Sequence, residues 1–477
     1  MRPSLMTPFF LILIATTLLV SCSSSQQKLS NSNAGTSSID FRISEYGWGE
    51  KPLLVAPTPQ RIPTLKAARA IGWPEGRQPV AASGLKVTAY ARGLQHPRWL
   101  TTLPNGDILI AESDTPRASS SKGDVMAWIT KRVMQRAGSA YPSADRITLL
   151  RGLNSKGNAK VMSPFLEGLN SPFGMALLDC TFYVANTDAV IAYDYQQGAN
   201  EILDAGREIS PLPANSPNSH WTKNILATAD GSALYVAVGS NSNIGELGDA
   251  IEQNRAAILR LDLQTGDLVP FAKGLRNPVG MALHPTTQEL WTVVNERDQL
   301  GDDLVPDYLT RVRAKDDFGW PIYYWGMLRD PRVPLDWKRK SSRAPDKTKA
   351  NEAISSTDQS APVKTHRVPD YALGAHTASL GIAFYPSDGP IIALRSHAII
   401  SQRGSWNRNP RSGYQVIAVP FDLQGNPSGR PKPVLTGFLD ERERAMGRPV
   451  GVVIDSHGAV LIADDVGGIV WRITPAS

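Results

Sequence analysis

Between Val294 and Leu304 the chain reads Asn-Glu-Arg-Asp-Gln-Leu-Gly-Asp-Asp, a run of ionisable residues too dense for an ordinary turn. Six more polar residues stand at comparable places near other strand ends: His220, Arg276, Asn277, His376, Arg403 and Arg448. Arginine presents a planar fork that binds a carboxylate through two hydrogen bonds, and Asp and Glu oxygens suit a hard cation such as Ca²⁺. Together these residue types suit a polyanionic ligand held with such a cation. A zinc site is not indicated, because no Cys/His ligand spacing is present. His96, His284 and His457 stand beside turn residues and read as structural or exposed.

The elements that must bring these residues together are repeats. Gly93-Leu94-Gln95-His96-Pro97, Gly168-Leu169-Asn170-Ser171-Pro172 and Gly274-Leu275-Arg276-Asn277-Pro278 share the pattern Gly-Leu-x-x-Pro, each followed by an apolar strand. A turn and a second alternating strand come next, as in WLTTLPNGDILIAES and GMALHPTTQELWTVVNE, which is the signature of antiparallel pairs. NILATADGSALYVAVGS, SLGIAFYPSDGPIIALRSHAIISQ and PVGVVIDSHGAVLIADD fit the unit more loosely, giving six. Six sheet units without crossover helices predict an all-β fold, a six-bladed β-propeller over residues 83–477, with a β-sandwich array as the alternative. The strand Ile469–Ile473 is expected to close the ring with N-terminal strands. Propellers place function at one mouth of the central channel, where the charged tail after Val294 would then lie.

Two insertions interrupt the repeats. Residues 114–146 contain DVMAWITKRVMQRAG, whose apolar spacing predicts a short helix. Residues 327–365 are basic and proline-rich, and read as an exposed loop.

The N-terminus has a short basic start, an apolar run and then Leu19-Val20-Ser21-Cys22. The run is short for a membrane span and reads as a signal peptide, residues 1–21. Its ending resembles the bacterial lipobox, which implies acylation of Cys22 and a lipid-anchored protein of the bacterial cell envelope, facing the periplasm or on the outer membrane. Cys180 is then the one other cysteine, so no intramolecular disulfide forms in the mature chain. Residues 22–38 are small and polar and read as a flexible tether. Residues 39–82 are a proline-rich extension expected along the surface of the main domain. The net charge of +6 is spread over 477 residues with no polybasic block, so nucleic acid is not an expected partner.

Arg276-Asn277-Pro278, Gly301-Asp302-Asp303, Phe318-Gly319-Trp320-Pro321 and Gly404-Ser405-Trp406-Asn407-Arg408, in this order and with Asn218-Ser219-His220-Trp221, carry a resemblance. The chain resembles the pyrroloquinoline quinone (PQQ)-dependent sugar dehydrogenases, in particular the sorbosone dehydrogenase-like subgroup, over about residues 83–475. The resemblance implies a six-bladed propeller with PQQ over the channel mouth and Ca²⁺ on its quinone side. It implies that His220 is the general base, a role suited to a group titrating near working pH. Arg276 and Asn277, with Arg448, Arg403 and His376, would hold the cofactor. The stretch containing Glu296, Arg297, Asp298, Asp302 and Asp303 would be the calcium and quinone loop. Here the chain departs from the glucose dehydrogenases of the family, which carry Gly-Pro where it has Arg297-Asp298; nearby carboxylates would compensate.

The implied activity is oxidation of a sugar hydroxyl, hemiacetal or aldehyde, of the aldose or sorbosone class, with electrons passing to a quinone or cytochrome. Two other readings stay open: a calcium-dependent lactonase, and a non-catalytic propeller displaying a binding surface. The first needs no ring of arginines, and the second would not bind PQQ.

Overall fold

Each Gly-Leu-x-x-Pro motif forms a corner between blades. Gly93, Gly168 and Gly274 adopt φ of 81°, 73° and 74°, the left-handed region that favours glycine. The following Leu94, Leu169 and Leu275 are buried, and the proline opens the next inner strand or lies just before it. The two variable residues between leucine and proline are therefore delivered to the mouth of the ring. The computed structural model describes residues 46–60, 64–116, 132, 135–139, 141–334, 336–337 and 366–476, all within the unit Phe41–Ser477.

Six antiparallel sheets result. Blade 1 comprises Pro97–Thr102, Ile108–Glu112, Arg146–Leu153 and Ala159–Leu166; blade 2 comprises Met175–Leu178, Thr181–Ala185, Ala189–Asp194 and Arg207–Pro211. Blade 3 is Lys223–Ala227, Ala233–Val238, Ala257–Asp262 and Leu268–Lys273. Blade 4 is Pro278–Leu283, Leu290–Val294, Pro306–Val312 and Tyr371–Ala375, and blade 5 is Ser379–Phe384, His397–Gln402, Gln415–Pro420 and Lys432–Thr436. Blade 6 joins Pro449–Ile454, Val460–Asp464 and Ile469–Pro475 to the N-terminal strand Leu85–Arg92. The expected closure of the ring is thus found, with Ile469 pairing with Arg92 and Pro475 with Leu85.

The first strands of the blades contact one another in a closed ring around the axis. Glycines make this approach close enough. A Cβ on Gly280 would lie 2.6 Å from the Leu380 carbonyl of the next blade, and one on Gly381 would lie 2.3 Å from that of Val450. Trp99, Phe173, Val279, Leu380 and Val450 fill the axis as one apolar cluster. In blades 1, 4, 5 and 6 the inner strand also carries a register shift at its mouth end, a bulge that re-aims the residues leading into the mouth.

The proline-rich extension does more than lie along a surface. Trp48–Gly49 and Val80–Ala81 add edge strands to blades 4 and 5. Between them the backbone bonds to Leu300, Gln299 and Trp406, and Ala68 is fully buried. Its Trp73 indole donates to Asp464 at 2.6 Å and packs edge-on against Trp471 and Phe438. The signal peptide, Cys22, the tether, most of the expected helix within 114–146 and most of the loop at 327–365 lie outside the described residues. Ahead of that second insertion the chain runs beside blade 3, where Asp317 bridges Lys273, and Tyr323–Tyr324 forms a small hairpin with Leu328–Arg329 at the insertion's start.

Candidate active site

Two kinds of connection reach the same end of the ring: those from a blade's second strand to its third, and those from its last strand to the next blade. His220, Arg276, Asn277, His376 and Arg448 lie on the second kind; Glu296, Asp298 and Arg403 lie on the first. Because every blade repeats this course, residues far apart in sequence line one cavity of about 680 Å³, and all eight are on its wall.

His220 is fixed as a neutral imidazole. Its Nδ1–H donates to the Ser240 carbonyl at 2.6 Å, which leaves Nε2 with the lone pair. Loss of hydration and then the Arg276 guanidinium lower its pKa from the usual 6.5 to about 3. Its own carbonyl accepts from Lys223 Nζ at 3.3 Å and Arg255 Nη2 at 3.1 Å, two buried side chains clamping the loop. Gly239 is needed beside it, since a Cβ there would lie 2.6 Å from His220 Cβ and 2.1 Å from Asn277 Oδ1. That Asn277 oxygen is buried and has no partner.

Arg276 donates to the Glu296 carbonyl at 2.7 Å, to Asn243 Oδ1 at 3.0 Å and to Asp298 Oδ2 at 3.2 Å. Asp298 also accepts from Asn407 at 2.8 Å and lies 3.5 Å from His376 Nδ1. Burial alone would raise the pKa of this carboxyl, but Arg276, His376 and Asn407 outweigh burial and hold it at about 2. His376 donates through Nε2 to the Gly301 carbonyl at 2.9 Å. Burial lowers its pKa, and Asp298 more than reverses that and raises it above the usual imidazole value; through Gly301 and Asp298, His376 ties two connections together.

Elsewhere on the wall lie three guanidiniums, two of which share one carboxylate. Arg403 Nε binds Asp465 Oδ2 at 2.7 Å, and Arg98 Nη1 binds the same oxygen. Arg448 is 1% exposed and makes no ion pair among the described residues. Among the described residues its guanidinium hydrogen-bonds the Ala68 carbonyl at 3.2 Å and the Tyr414 hydroxyl at 3.3 Å, and its Nε has no partner. Burying a guanidinium without a counter-charge is expensive, and burial lowers the pKa of both Arg98 and Arg448. A polyanion in this cavity would relieve that cost.

The expected cation loop is different from its sequence reading. Among the described residues no group of three or more Asp, Glu, His or Cys side chains converges as a metal nest. Arg297 is fully buried behind the cavity, paired with Glu296 at 2.9 Å and Asp330 at 3.5 Å, and donating to the carbonyls of Pro321 and Tyr323. It braces the loop and has no lone pair for a metal. Asp303 pairs with Arg408, and the Asp302 carbonyl accepts from the same arginine at 2.7 Å; neither aspartate lines the cavity. The carbonyls of Glu296 and Asp298 are taken by Arg276 and Arg332. Several of the loop's oxygens thus already serve cations that the chain supplies itself, while Asp302 Oδ1 is buried without a partner among the described residues.

Several wall residues escaped the sequence reading: Arg98, Asn243, Asp307 and Asn407, with Asp465 just behind. Asp307 accepts from the Glu296 and Ser379 amides at 3.0 and 3.1 Å and from Thr377 at 3.0 Å, yet burial still raises its pKa to about 6. Arg98 had a signal, since it follows the proline of a Gly-Leu-x-x-Pro motif where the other two copies carry Phe173 and Val279.

Comparison with known proteins agrees with this architecture. An uncharacterised protein of Borreliella burgdorferi is 27% identical over 315 residues, covering 64% of this chain and 76% of its own. The calcium structure of a Trichoderma reesei carbohydrate-active enzyme of family AA12 superposes with a TM-score of 0.60 at 19% identity, over 87% of this chain and 100% of that one. The holo form of the pyranose dehydrogenase PQQ domain of Coprinopsis cinerea gives a TM-score of 0.61 at 18% identity, over 84% and 98%. The family model described as TrAA12-like matches residues 153–476, more than half of the chain and the whole of blades 2 to 5, so this protein belongs to the TrAA12-like family.

Proposed function

We propose that the protein is a PQQ-dependent oxidoreductase that oxidises a hydroxyl, hemiacetal or aldehyde of a small sugar. The observation that carries this reading is the pair of guanidiniums of Arg403 and Arg448 on the wall of a cavity that also holds a neutral histidine. A tricarboxylate cofactor suits such a wall, and the quinone-binding propellers named above share its fold. Arg403, Arg448, Arg276 and the unpartnered Asn277 oxygen are the groups that would hold it. Bound there, PQQ supplies an electrophilic quinone carbon able to accept hydride.

His220 Nε2 receives the proton of the substrate hydroxyl. The Ser240 carbonyl holds the ring in the tautomer that can do so, while Lys223 and Arg255 hold its backbone. A pKa of about 3 makes His220 a weak base in the ligand-free protein. An anionic ligand beside Arg276 would offset the charge that contributes to this lowering and make His220 a stronger base when the site is filled. Asn277 and Gly239 keep the floor beside the ring narrow, and the apolar axis below excludes water.

Among the described residues no side-chain cluster forms a calcium site by itself, and the steps assigned to this chain's residues do not use one. The test is a titration of the protein with PQQ followed by absorbance, with calcium alone titrated in parallel. Saturable quinone binding is expected, weakened about tenfold or more by Arg448→Met; calcium alone is expected not to saturate below millimolar concentration. His220→Ala should still bind the quinone and lose about 10²-fold or more of dye-linked turnover. A folded protein that ignores PQQ would overturn the reading in favour of a binding scaffold or a hydrolase.

A further inference from the structure

Ring symmetry makes six positions on the inner strands equivalent: Arg98, Phe173, Lys223, Val279, Leu380 and Val450. In several of them the carbonyl meets the preceding blade's inner strand in the same way. A Cβ on Gly280, Gly381 or Gly451 would strike the carbonyl of Leu380, Val450 or Arg98; the Gly174 amide bonds to that of Lys223, and Asn224 Nδ2 to that of Val279. Phe173, Val279, Leu380 and Val450 share the apolar axis. Two positions depart from that pattern. Lys223 folds back to the carbonyls of Trp221 and His220, which accounts for it. Arg98 does not fold back; it lines the cavity.

Its guanidinium lies over the ring of Trp221, the residue after His220, at 5.7 Å from the ring centroid. The charged groups around it are Asp465, which it shares with Arg403, Arg403 itself and Asp114. One Asp465 oxygen receives both arginines, and Arg98 Nε is buried without a partner among the described residues. A single carboxylate shared by two guanidiniums offsets only part of the cost of a charged group where valine or phenylalanine stands elsewhere, and a ligand anion would offset the rest. Resting on the oxidoreductase reading, in which Arg403, Arg448 and Arg276 serve the cofactor, Arg98 is left on the histidine's side of the cavity.

We propose that Arg98 receives a carboxylate of the substrate, so that the site selects sugar acids, uronates above all, over neutral aldoses. A planar fork binds a carboxylate in two hydrogen bonds, and a carboxylate held over Trp221 sets the neighbouring hydroxyls against His220. The carboxylate itself does not react; it orients the carbon that does.

The experiment is calorimetry of the full protein with glucuronate and with glucose, run with and without PQQ, alongside dye-linked turnover of both sugars. Glucuronate is expected to bind about tenfold or more tightly than glucose. Arg98→Gln should abolish that preference while glucose affinity stays within about twofold, and Arg98→Lys, which keeps the charge, should retain part of it. Equal affinity for the two sugars in the unmodified protein, or a preference that survives Arg98→Gln, overturns the proposal. So does loss of both sugars in both variants, since Arg98 would then only shape the pocket. Absorbance of PQQ is read separately. Failure of the quinone to bind sinks the oxidoreductase reading, while the calorimetric preference still decides the role of Arg98.

Discussion

His220 and Asp307 line one wall and titrate in opposite senses. The pKa of His220 falls to about 3 in the folded state, so below about 6.5 the unfolded chain binds the proton and the native state does not. Stability associated with His220 is therefore present above that pH and lost as pH falls toward 3. Asp307 is raised to about 6; the folded state keeps its proton between about 6 and 3.8, and the native state gains there as pH falls. The two partly cancel in that window. His220→Gln removes the first contribution alone, so its stability should rise relative to the unmodified protein by up to about 1.4 kcal/mol per pH unit below pH ~6.5. Urea denaturation of the ligand-free proteins near neutrality and about two units lower measures this; a stability gap that does not change with pH would remove His220 as the cause. His220, Arg276 and Asn277 were legible in the sequence because each sits just before an inner strand. Asp307 and Asp465 were not, because a carboxylate beside a strand end declares a role only when its amide or guanidinium partners, distant in sequence, are brought to it.

At the level of elements, the strands were the legible part. Alternating apolar residues and glycine turns are local signals, and all six blades follow them. The connection from Asn295 to Val305 was legible only as a dense run of charge, and its role changed on folding. Its length of oxygen donors suggested a cation nest, but Arg297 turns inward and, with Glu296, Asp330 and Arg332, pins the loop to the segment Pro321–Tyr323. That segment belongs to the insertion after blade 4's third strand, and nothing local to either stretch announces that they meet. The brace should be costly to open. Arg297→Leu leaves Glu296 buried without its cation, and a loss of about 3–5 kcal/mol is expected. Adding Glu296→Gln should recover part of it, because the stranded charge is then gone. A single variant within about 1 kcal/mol of the unmodified protein would show that the ion pairs do not hold the loop.

Across the whole molecule, the ends of the described chain serve different purposes, and the sequence separated them poorly. Leu85–Arg92 completes blade 6 by pairing along its length with Ile469–Pro475, so the ring is closed by residues nearly the whole chain apart. The segment before it closes nothing; it crosses the mouth, gives its Ala68 carbonyl to Arg448 and its Trp73 indole to Asp464, and adds edge strands to two blades. Proline content marked it as extended but could not show where it runs, since its contacts are with Gln299, Leu300, Trp406 and Ala445. Two truncations separate the roles. A chain starting at Ser83 keeps the closing strand and should retain a cooperative thermal transition at lower temperature, because the blades still bury one another's faces; its quinone affinity should drop as Arg448 loses a buried partner. A chain starting at Gly93 lacks the closing strand and leaves the edge of Ile469–Pro475 unpaired, so it should show no cooperative transition and should aggregate through the exposed blade. Matching melting behaviour in the two chains would mean that ring closure contributes little to the fold. Undiminished quinone affinity in the longer one would mean that the segment across the mouth takes no part in the site.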